Sequence, residues 1–329
     1  MMAFRHFLGR LAALCAVAAA AAMFSAGVQA QAAWPTKPVR LIVPASVGGA
    51  SDTVARILAA RLTEVFGQQF LVENRAGAGG AIGSTAVAQA APDGYTLLVS
   101  FDSFTINGFL FKNVPDPLKE FTPIMQVVRL AQVLLVHPSL GVKSVKEFVA
   151  LAKTKGPQLN FGSAGPASSS RLAYELFKDV AGIETVAVHY KGGGPAIQDL
   201  IAGQVQVMLV QGGGNIQSNV KAGKLVALAV SSPTQSPLHP GLPAIAETYP
   251  GFETQSWVGL VGPAQMPKPL VDLLHTTITK ILAEPGMKEK FGQQGAEIVA
   301  SSPEGLTRLM REEQAKWGKL IRAKKITVD

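Results

Sequence analysis

Five times along this chain, an apolar run of strand length ends in a short loop of small or polar residues, usually before a helical pattern. Such strand–loop–helix units, spaced here by roughly 20–40 residues, build parallel α/β sheets. The pattern therefore predicts an α/β fold. Ligands of such sheets bind beyond the carboxyl ends of the strands, so we expect the five loops to converge on one cleft. The runs are Val39–Val43, Tyr95–Val99, Leu159–Phe161, Val186–Val188 and Val205–Val210.

The first of these units has the features of an anion-binding loop. Gly48 and Gly49 stand just before a helix whose apolar residues recur at i, i+3 and i+4. Ser51 is the expected N-cap, and Asp52 suits the positive end of the helix dipole. Backbone N–H groups at such a helix start bind anions without any cationic side chain. The alternative is a tight turn that needs glycine only for its geometry.

The amino-terminal segment, residues 1–30, has the pattern of a secretory signal peptide. Arg5 and Arg10 precede an alanine-rich apolar stretch, which ends in small-x-small cleavage motifs between Ala30 and Ala33. Cys15, the only cysteine, lies inside this segment without a lipoprotein motif. We therefore expect cleavage and export to the periplasm, and a mature chain without disulfides.

Composition narrows the classes of function. About 300 mature residues are enough for two packed domains. The chain is 48% hydrophobic and only 16% charged, as expected when strands are buried on both faces. Its net charge of +8 falls to about +6 once Arg5 and Arg10 are removed. The basic residues are scattered and not interleaved with aromatic residues, which argues against nucleic-acid binding.

Two apolar runs are predicted to cross between lobes. Val133–Val136 precedes Pro138, and Trp257–Val261 precedes Gly262. Two crossings imply a discontinuous first lobe, residues 34–137 and 258–329, and a second lobe, residues 138–257. We expect a hinge near Pro138 and Gly262.

Short motifs from Trp34 almost to the carboxyl terminus carry a family resemblance. They are Trp34-Pro35 through Pro44, Gly48-Gly49 with Asp52, Val72 to Gly80, Pro92 to Leu98, Gly162-Ser163-Ala164-Gly165, Tyr190 to Ala196, Lys221-Ala222-Gly223-Lys224, and Trp257 with Gly259-Leu260. Each is weak alone, but their order and coverage are specific. With these motifs the chain resembles the Bug family, the substrate-binding proteins of tripartite tricarboxylate transporters.

This resemblance implies a type II periplasmic-binding-protein fold, with two lobes and a ligand cleft between them. It also implies a monomer that captures a small organic carboxylate, mainly through backbone amides and ordered water, and delivers it to a membrane permease. No enzymatic activity, cofactor, metal or nucleic acid is expected. Carried onto this chain, the cleft residues would be Ser46, Val47, Gly48, Gly49, Ser51, Asp52, Ser100, Asp102 and Ser103 in the first lobe, and Ser163, Ala164, Gly165, Ser168, Tyr190, Lys191, Gly192, Gly193 and Gln211 in the second.

Several individual residues allow a second interpretation. Ser163 and His189 could serve an exported esterase, although Gly162-Ser163-Ala164-Gly165 lacks the G-x-S-x-G pattern. A ligand-sensing protein of the same fold would have the same sequence features. Asp52 either caps its own helix or touches the ligand, and Asp102 either caps a turn or faces the cleft.

The charge of the cleft loops bears on the ligand. Lys191 is their single cation, Asp102 would add a negative charge, and Val210 would add apolar surface. Unpaired buried charge is costly. The sequence therefore predicts a ligand with one carboxylate, or at most two, and poor binding of citrate.

Overall fold

The structure is a computed structural model that describes residues 34–211 and 214–328. The expected signal peptide lies outside the described residues. Residues 34–37 belong to a separate amino-terminal unit, and the unit described below is Pro38–Asp329.

The described residues form ten strands and ten α-helices. The strands are β1 Val39–Val43, β2 Phe70–Asn74, β3 Thr96–Phe101, β4 Phe121–Val136, β5 Asn160–Ser163, β6 Val186–His189, β7 Val207–Gln211, β8 Val226–Val230, β9 Gln255–Pro263 and β10 Ala296–Ile298. The helices are α1 Ala50–Phe66, α2 Ala81–Ala88, α3 Ser103–Leu110, α4 Val145–Lys155, α5 Ser169–Ala181, α6 Gly193–Ile201, α7 Gly214–Lys221, α8 Lys268–Leu282, α9 Met287–Gly292 and α10 Pro303–Lys324.

The strands form one mixed sheet in the order β2-β1-β3-β9-β4-β7-β5-β6, with β8 and β10 also paired to β4. Strands β1, β2 and β3 are parallel, and so are β5, β6 and β7. Strand β9 runs antiparallel to β3 and β4, and β4 runs antiparallel to β7. The strand–loop–helix units thus form two parallel sets, and the two crossing strands join them.

Strand β4 changes partners along its length. Its residues up to Ala131 pair with β9, whereas Gln132–Val136 pair with β7 and Val133–Val136 also pair with β8. We call β1, β2, β3, β9 and β10 the first half of the sheet, and β5 to β8 the second half. Each half has a buried core, represented by Leu98 and Trp257 in the first and by Phe161 and Phe177 in the second.

A buried polar network lies where β4 changes partners. The backbone N–H of Gln132 donates to Ser231 Oγ at 2.9 Å, and Ser231 Oγ donates to the carbonyl of Thr254. Thr254 Oγ1 donates to Gln132 Oε1 at 3.0 Å. These bonds satisfy the polar groups that the change of partner would otherwise leave unpaired. The change lies at Ala131–Gln132, before Pro138 where the sequence had suggested a hinge.

Helix α10 contacts both halves. It begins at Pro303 after the N-cap Ser302, whose hydroxyl accepts from Gly305 N–H at 3.1 Å. Near its end, a buried apolar cluster combines α10 with α3 of the first half and α5 of the second: Ile106, Leu172, Trp317, Leu320 and Ile321. Lys324 also pairs with Asp179 of α5 at 2.5 Å. Among the described helices, none is both long and apolar enough to cross a membrane.

Candidate functional site

The loop after β1 is held by Asp52. Its Oδ2 accepts from Gly48 N–H at 2.9 Å and from Arg56 Nε at 3.0 Å, and its Oδ1 accepts from Asn74 Nδ2 at 2.9 Å. Asp52 is almost fully buried. Burial alone would raise its pKa, but the bonds from Arg56, Gly48 and Asn74 together keep it below the usual value. Both carboxylate oxygens of Asp52 are therefore engaged in holding the loop.

Gly49 has the role at this helix start that the sequence had assigned to Ser51. Gly49 is the N-cap of α1, with φ −77° and ψ 170° and no side-chain cap, while Ser51 is buried in the first turn. The N-cap prediction for Ser51 is therefore wrong. Ser46, Val47, Gly48 and Gly49 are exposed, with Val47 at 70%. Asp52 takes the Gly48 N–H, so this N–H is not free to bind a ligand.

The segments that follow β2 and β3 lie next to each other and to the second half of the sheet. Ser103 Oγ donates to the carbonyl of Gly79 at 2.8 Å, and Asn107 Nδ2 donates to the same oxygen at 3.1 Å. A Cβ on Gly79 would lie 3.4 Å from the Cβ of Ala167 in the second half. Loops of the two halves thus meet here. Sequence reasoning missed Gly79, Asn107 and Ala167, because glycine-rich loops are uninformative until their neighbours are known.

The loop after β5 is bonded mainly to itself. Ser168 caps α5 by accepting from Arg171 N–H at 3.3 Å, and its Oγ donates to the carbonyl of Gly165 at 2.7 Å. The backbone N–H of Ala164 donates to Ser170 Oγ at 2.9 Å. Several of the donors expected to face a ligand, including the Ala164 N–H, are therefore used locally. Ser170, which sequence reasoning missed, is the residue that holds this loop.

The loop after β6 lies directly against the loop after β5. The backbone N–H of Tyr190 donates to the carbonyl of Ser163 at 3.0 Å, and that of Gly192 donates to the carbonyl of Ala164 at 2.9 Å. Tyr190 OH donates to Asp199 at 2.7 Å, and burial together with the Asp199 carboxylate raises the Tyr190 pKa to about 12. The Tyr190 phenol is therefore neutral, and its only proton is committed to Asp199.

Three further site residues predicted for the second lobe are Lys191, Gly193 and Gln211. Lys191 is exposed and forms no ion pair with any residue that the structure describes. Gly193 begins α6. Gln211 ends β7 opposite Gln132, and residues 212–213 beyond it are not described. Val210 is packed in the core of the second half, so the expectation that it adds apolar surface to the cleft is wrong.

Ser163 and His189 are brought together by strand register. They are Cα partners in the parallel pair β5–β6, and Ser163 Oγ lies 2.7 Å from His189 Nδ1. Ser163 Oγ also lies 3.2 Å from the Gly165 carbonyl, to which it can donate. The hydroxyl has one hydrogen, so it cannot donate to both; when His189 carries a proton on Nδ1, the ring donates to Ser163 Oγ and the hydroxyl donates to Gly165. Ser163 is fully buried, which keeps its oxygen away from a substrate carbonyl.

Asp102 is a capping residue, one of the two interpretations that the sequence allowed. Its Oδ1 accepts from Ser103 N–H at 2.8 Å and caps α3. Its Oδ2 is buried and has no hydrogen-bond partner among the described residues, and the same holds for Ser100 Oγ. Burial raises the pKa of Asp102, and the nearby hydroxyls of Ser256 and Ser169 act in the opposite direction. Part of this residue thus remains available for another contact.

Comparison with protein families and known proteins gives a consistent result. The family model described as "Tripartite tricarboxylate transporter family receptor" matches residues 54–326. Protein BugT of Bordetella pertussis is 32% identical over 317 residues, which cover 95% of this chain and 97% of that protein.

Solved structures agree with this result. The structure of R. palustris Rpa4515 with adipate has a TM-score of 0.83 and 34% identity, covering 89% of this chain and 99% of that one. MatC (Rpa3494) from Rhodopseudomonas palustris with bound malate has a TM-score of 0.77 and 30% identity, covering 88% of this chain and 100% of that one.

Proposed function

Because the chain belongs to the family of tripartite tricarboxylate transporter receptors, we propose that it captures a small organic carboxylate in the periplasm and delivers it to a membrane permease. The family resemblance and the type II periplasmic-binding fold predicted from the sequence are confirmed. The periplasmic location of this chain, its monomeric state and its transient contact with the permease belong to the proposal.

The proposed lobes are residues 34–137 with 258–329 and residues 138–257. Their support is the sheet itself, in which two parallel sets with separate cores are joined by β4 and β9. The meeting of Ser103, Gly79 and Ala167 at the carboxyl ends of these sets carries the site assignment. Ligands of α/β sheets bind at this edge.

Neutral donors would bind the carboxylate. The start of α1, from Gly49 onward, presents backbone N–H groups and a favourable helix dipole. The second lobe would contribute the loops Ser163 to Ser168 and Tyr190 to Gly193, through groups that are not already bonded within those loops, and Gln211. Binding would close the two lobes because the ligand contacts both. Adipate and malate in the related structures are dicarboxylates, which is the largest ligand charge that the sequence predicted for this chain.

The proposal involves no chemical reaction. The Ser163–His189 hydrogen bond is the one observation that favours an esterase. The full burial of Ser163 and its second acceptor at Gly165 argue against a nucleophile. Incubation with generic esters separates the two functions, since turnover would support the esterase.

A matching carboxylate should raise the melting temperature of the mature protein. A ligand that binds only the folded state stabilises it by about 2.7 kcal/mol at a hundredfold excess over Kd. The measurement is a thermal-shift panel of mono-, di- and tricarboxylates, with the corresponding neutral amides as controls. We expect a shift with a mono- or dicarboxylate, and little shift with its amide or with citrate. No shift with any carboxylate would refute the carboxylate assignment.

A further inference from the structure

Asp102 stands where three parts of the fold meet. It follows β3 of the first half, and only 5% of the residue is exposed. The hydroxyl of Ser256, on the crossing strand β9, and that of Ser169, at the start of α5 in the second half, lie near enough to oppose the rise that burial causes in the pKa of the Asp102 carboxyl group, although neither has the geometry of a hydrogen bond to Oδ2. These two hydroxyls lie 3.4 Å apart. Asp102 thus lies beside both the crossing strand β9 and helix α5 of the second half.

The polar groups at this point are incompletely paired. Asp102 Oδ1 is occupied by the Ser103 N–H, but no described residue donates to Oδ2 with hydrogen-bonding geometry. Ser100 Oγ, two positions earlier, is also buried without a partner. A buried acceptor without a donor costs free energy, most of all when it carries charge. A ligand that supplied a donor here would recover that cost.

Separation of the two halves would open this point to a ligand. Asp102 and Ser169 belong to different halves, so movement of one half away from the other withdraws Ser169 from the Asp102 carboxyl group. The carboxylate-binding donors at Gly49 lie in the same half as Asp102, after β1, which is the neighbour of β3 in the sheet. One small molecule could therefore reach both.

We propose that Asp102 determines ligand specificity: the cleft takes a monocarboxylate whose far end carries a hydrogen-bond donor, and it disfavours a second carboxylate at that end. This inference rests on the proposed carboxylate-binding function. The ligand carboxylate lies at the neutral donors of the α1 start, and a hydroxyl or ammonium group donates to Asp102 Oδ2. A second carboxylate has no hydrogen to donate to Oδ2, and it is repelled as a like charge when Asp102 is ionised.

Calorimetric titration of matched ligands tests this specificity. The four-carbon series is butyrate, γ-hydroxybutyrate, γ-aminobutyrate and succinate. The six-carbon series is hexanoate, 6-hydroxyhexanoate, 6-aminohexanoate and adipate. In at least one series, the wild-type mature protein should bind a donor-bearing monocarboxylate more tightly than the dicarboxylate. The expected ratio is on the order of tenfold to a hundredfold, as for a hydrogen bond to a charged group. Comparison of the hydroxyl-bearing ligand with the ammonium-bearing ligand in each series shows which donor the protein prefers.

Asp102→Asn is the decisive variant. Its Oδ1 can still cap α3, so the fold should persist, while its amide group can donate to a carboxylate. The preference should disappear or reverse in this variant. Asp93→Asn is the matched control, because exposed Asp93 also accepts a nearby backbone N–H, that of Tyr95; it should leave the preference unchanged.

Three outcomes would overturn the inference. The first is a wild-type protein that binds the dicarboxylate at least as tightly, with the same order in Asp102→Asn. The second is absence of binding in both series together with a thermal shift for another carboxylate that lacks a donor. Absence of binding by every carboxylate would overturn the proposed function as well.

Discussion

Replacing Gly49 with valine should abolish ligand binding and leave a folded protein. The backbone of Gly49 is extended, a conformation that valine adopts readily, and the nearest atom to an added Cβ is Ser46 O at 3.7 Å. The branched side chain would cover the N–H groups at the start of α1. Losing two hydrogen bonds to a charged ligand should weaken binding by about a hundredfold or more. Calorimetric titration with the best ligand of the thermal-shift panel measures this loss.

Gly108→Val provides the matched control. Gly108 is exposed in α3, and an added Cβ there meets nothing within 4 Å. This variant should bind normally, and both variants should melt cooperatively. Normal titration by Gly49→Val would remove the loop after β1 from the binding site. Gly48 is a poorer choice for this test, because its φ of +85° would add backbone strain to any substitution.

Replacing Glu313 with glutamine should make the protein more stable above neutral pH. Burial, together with repulsion from Asp102 and Glu253, raises the pKa of Glu313 to about 7, although Trp317 and Lys316 oppose the shift. Trp317 Nε1 donates to Glu313 Oε2 at 2.5 Å, and a glutamine oxygen can accept the same bond. Glutamine therefore removes the buried charge while keeping the packing.

The direction of the pH effect follows from proton binding. The unfolded glutamate titrates near 4.5 and the folded one near 7, so the native state holds an extra proton between these values. The contribution of Glu313 to the free energy of unfolding of the wild-type protein should therefore fall by about 3 kcal/mol as pH rises from about 4.5 to 7. The free energy of unfolding of Glu313→Gln should not show this decrease, and it should equal that of the wild type near pH 4.

Urea denaturation at several pH values measures this difference. Glu312→Gln is the control, because Glu312 is the exposed neighbour in the same helix; its stability should follow the wild-type curve. If Glu313→Gln is less stable than the wild type by the same amount at pH 4 and pH 8, the Glu313 carboxyl group is not a buried charge and this prediction is wrong.

The units of the fold and the crossing strand β9 could be predicted from apolar runs, whereas the full length of the crossing strand β4 could not. Val39–Val43 was predicted with its observed bounds, because it is apolar and ends at a proline. Of β4, only Val133–Val136 was predicted, since Pro123, Gln126 and Arg129 interrupt the apolar pattern of its first part. That part is held by antiparallel pairing with β9 and β10, which a local pattern does not contain. Helix α3 was missed because Asp102 and Ser103 suggested a loop.

The site was predicted in outline because carboxyl ends of strands converge, but the roles of its side chains depend on partners distant in sequence. Asp52 could not be assigned until Asn74 was placed beside it. Ser256 was missed because it lies inside an apolar strand. Ser163 and His189 are neighbours only because β5 and β6 pair in register.

Solution scattering of the mature protein, with and without saturating ligand, tests the clamp most directly. Co-purified ligand is first removed by unfolding and refolding, and the ligand is the carboxylate with the largest thermal shift. If the two lobes close around it, the radius of gyration should fall on binding, and Gly49→Val should show no change. Identical profiles for the wild-type protein with and without a ligand shown to bind would contradict closure.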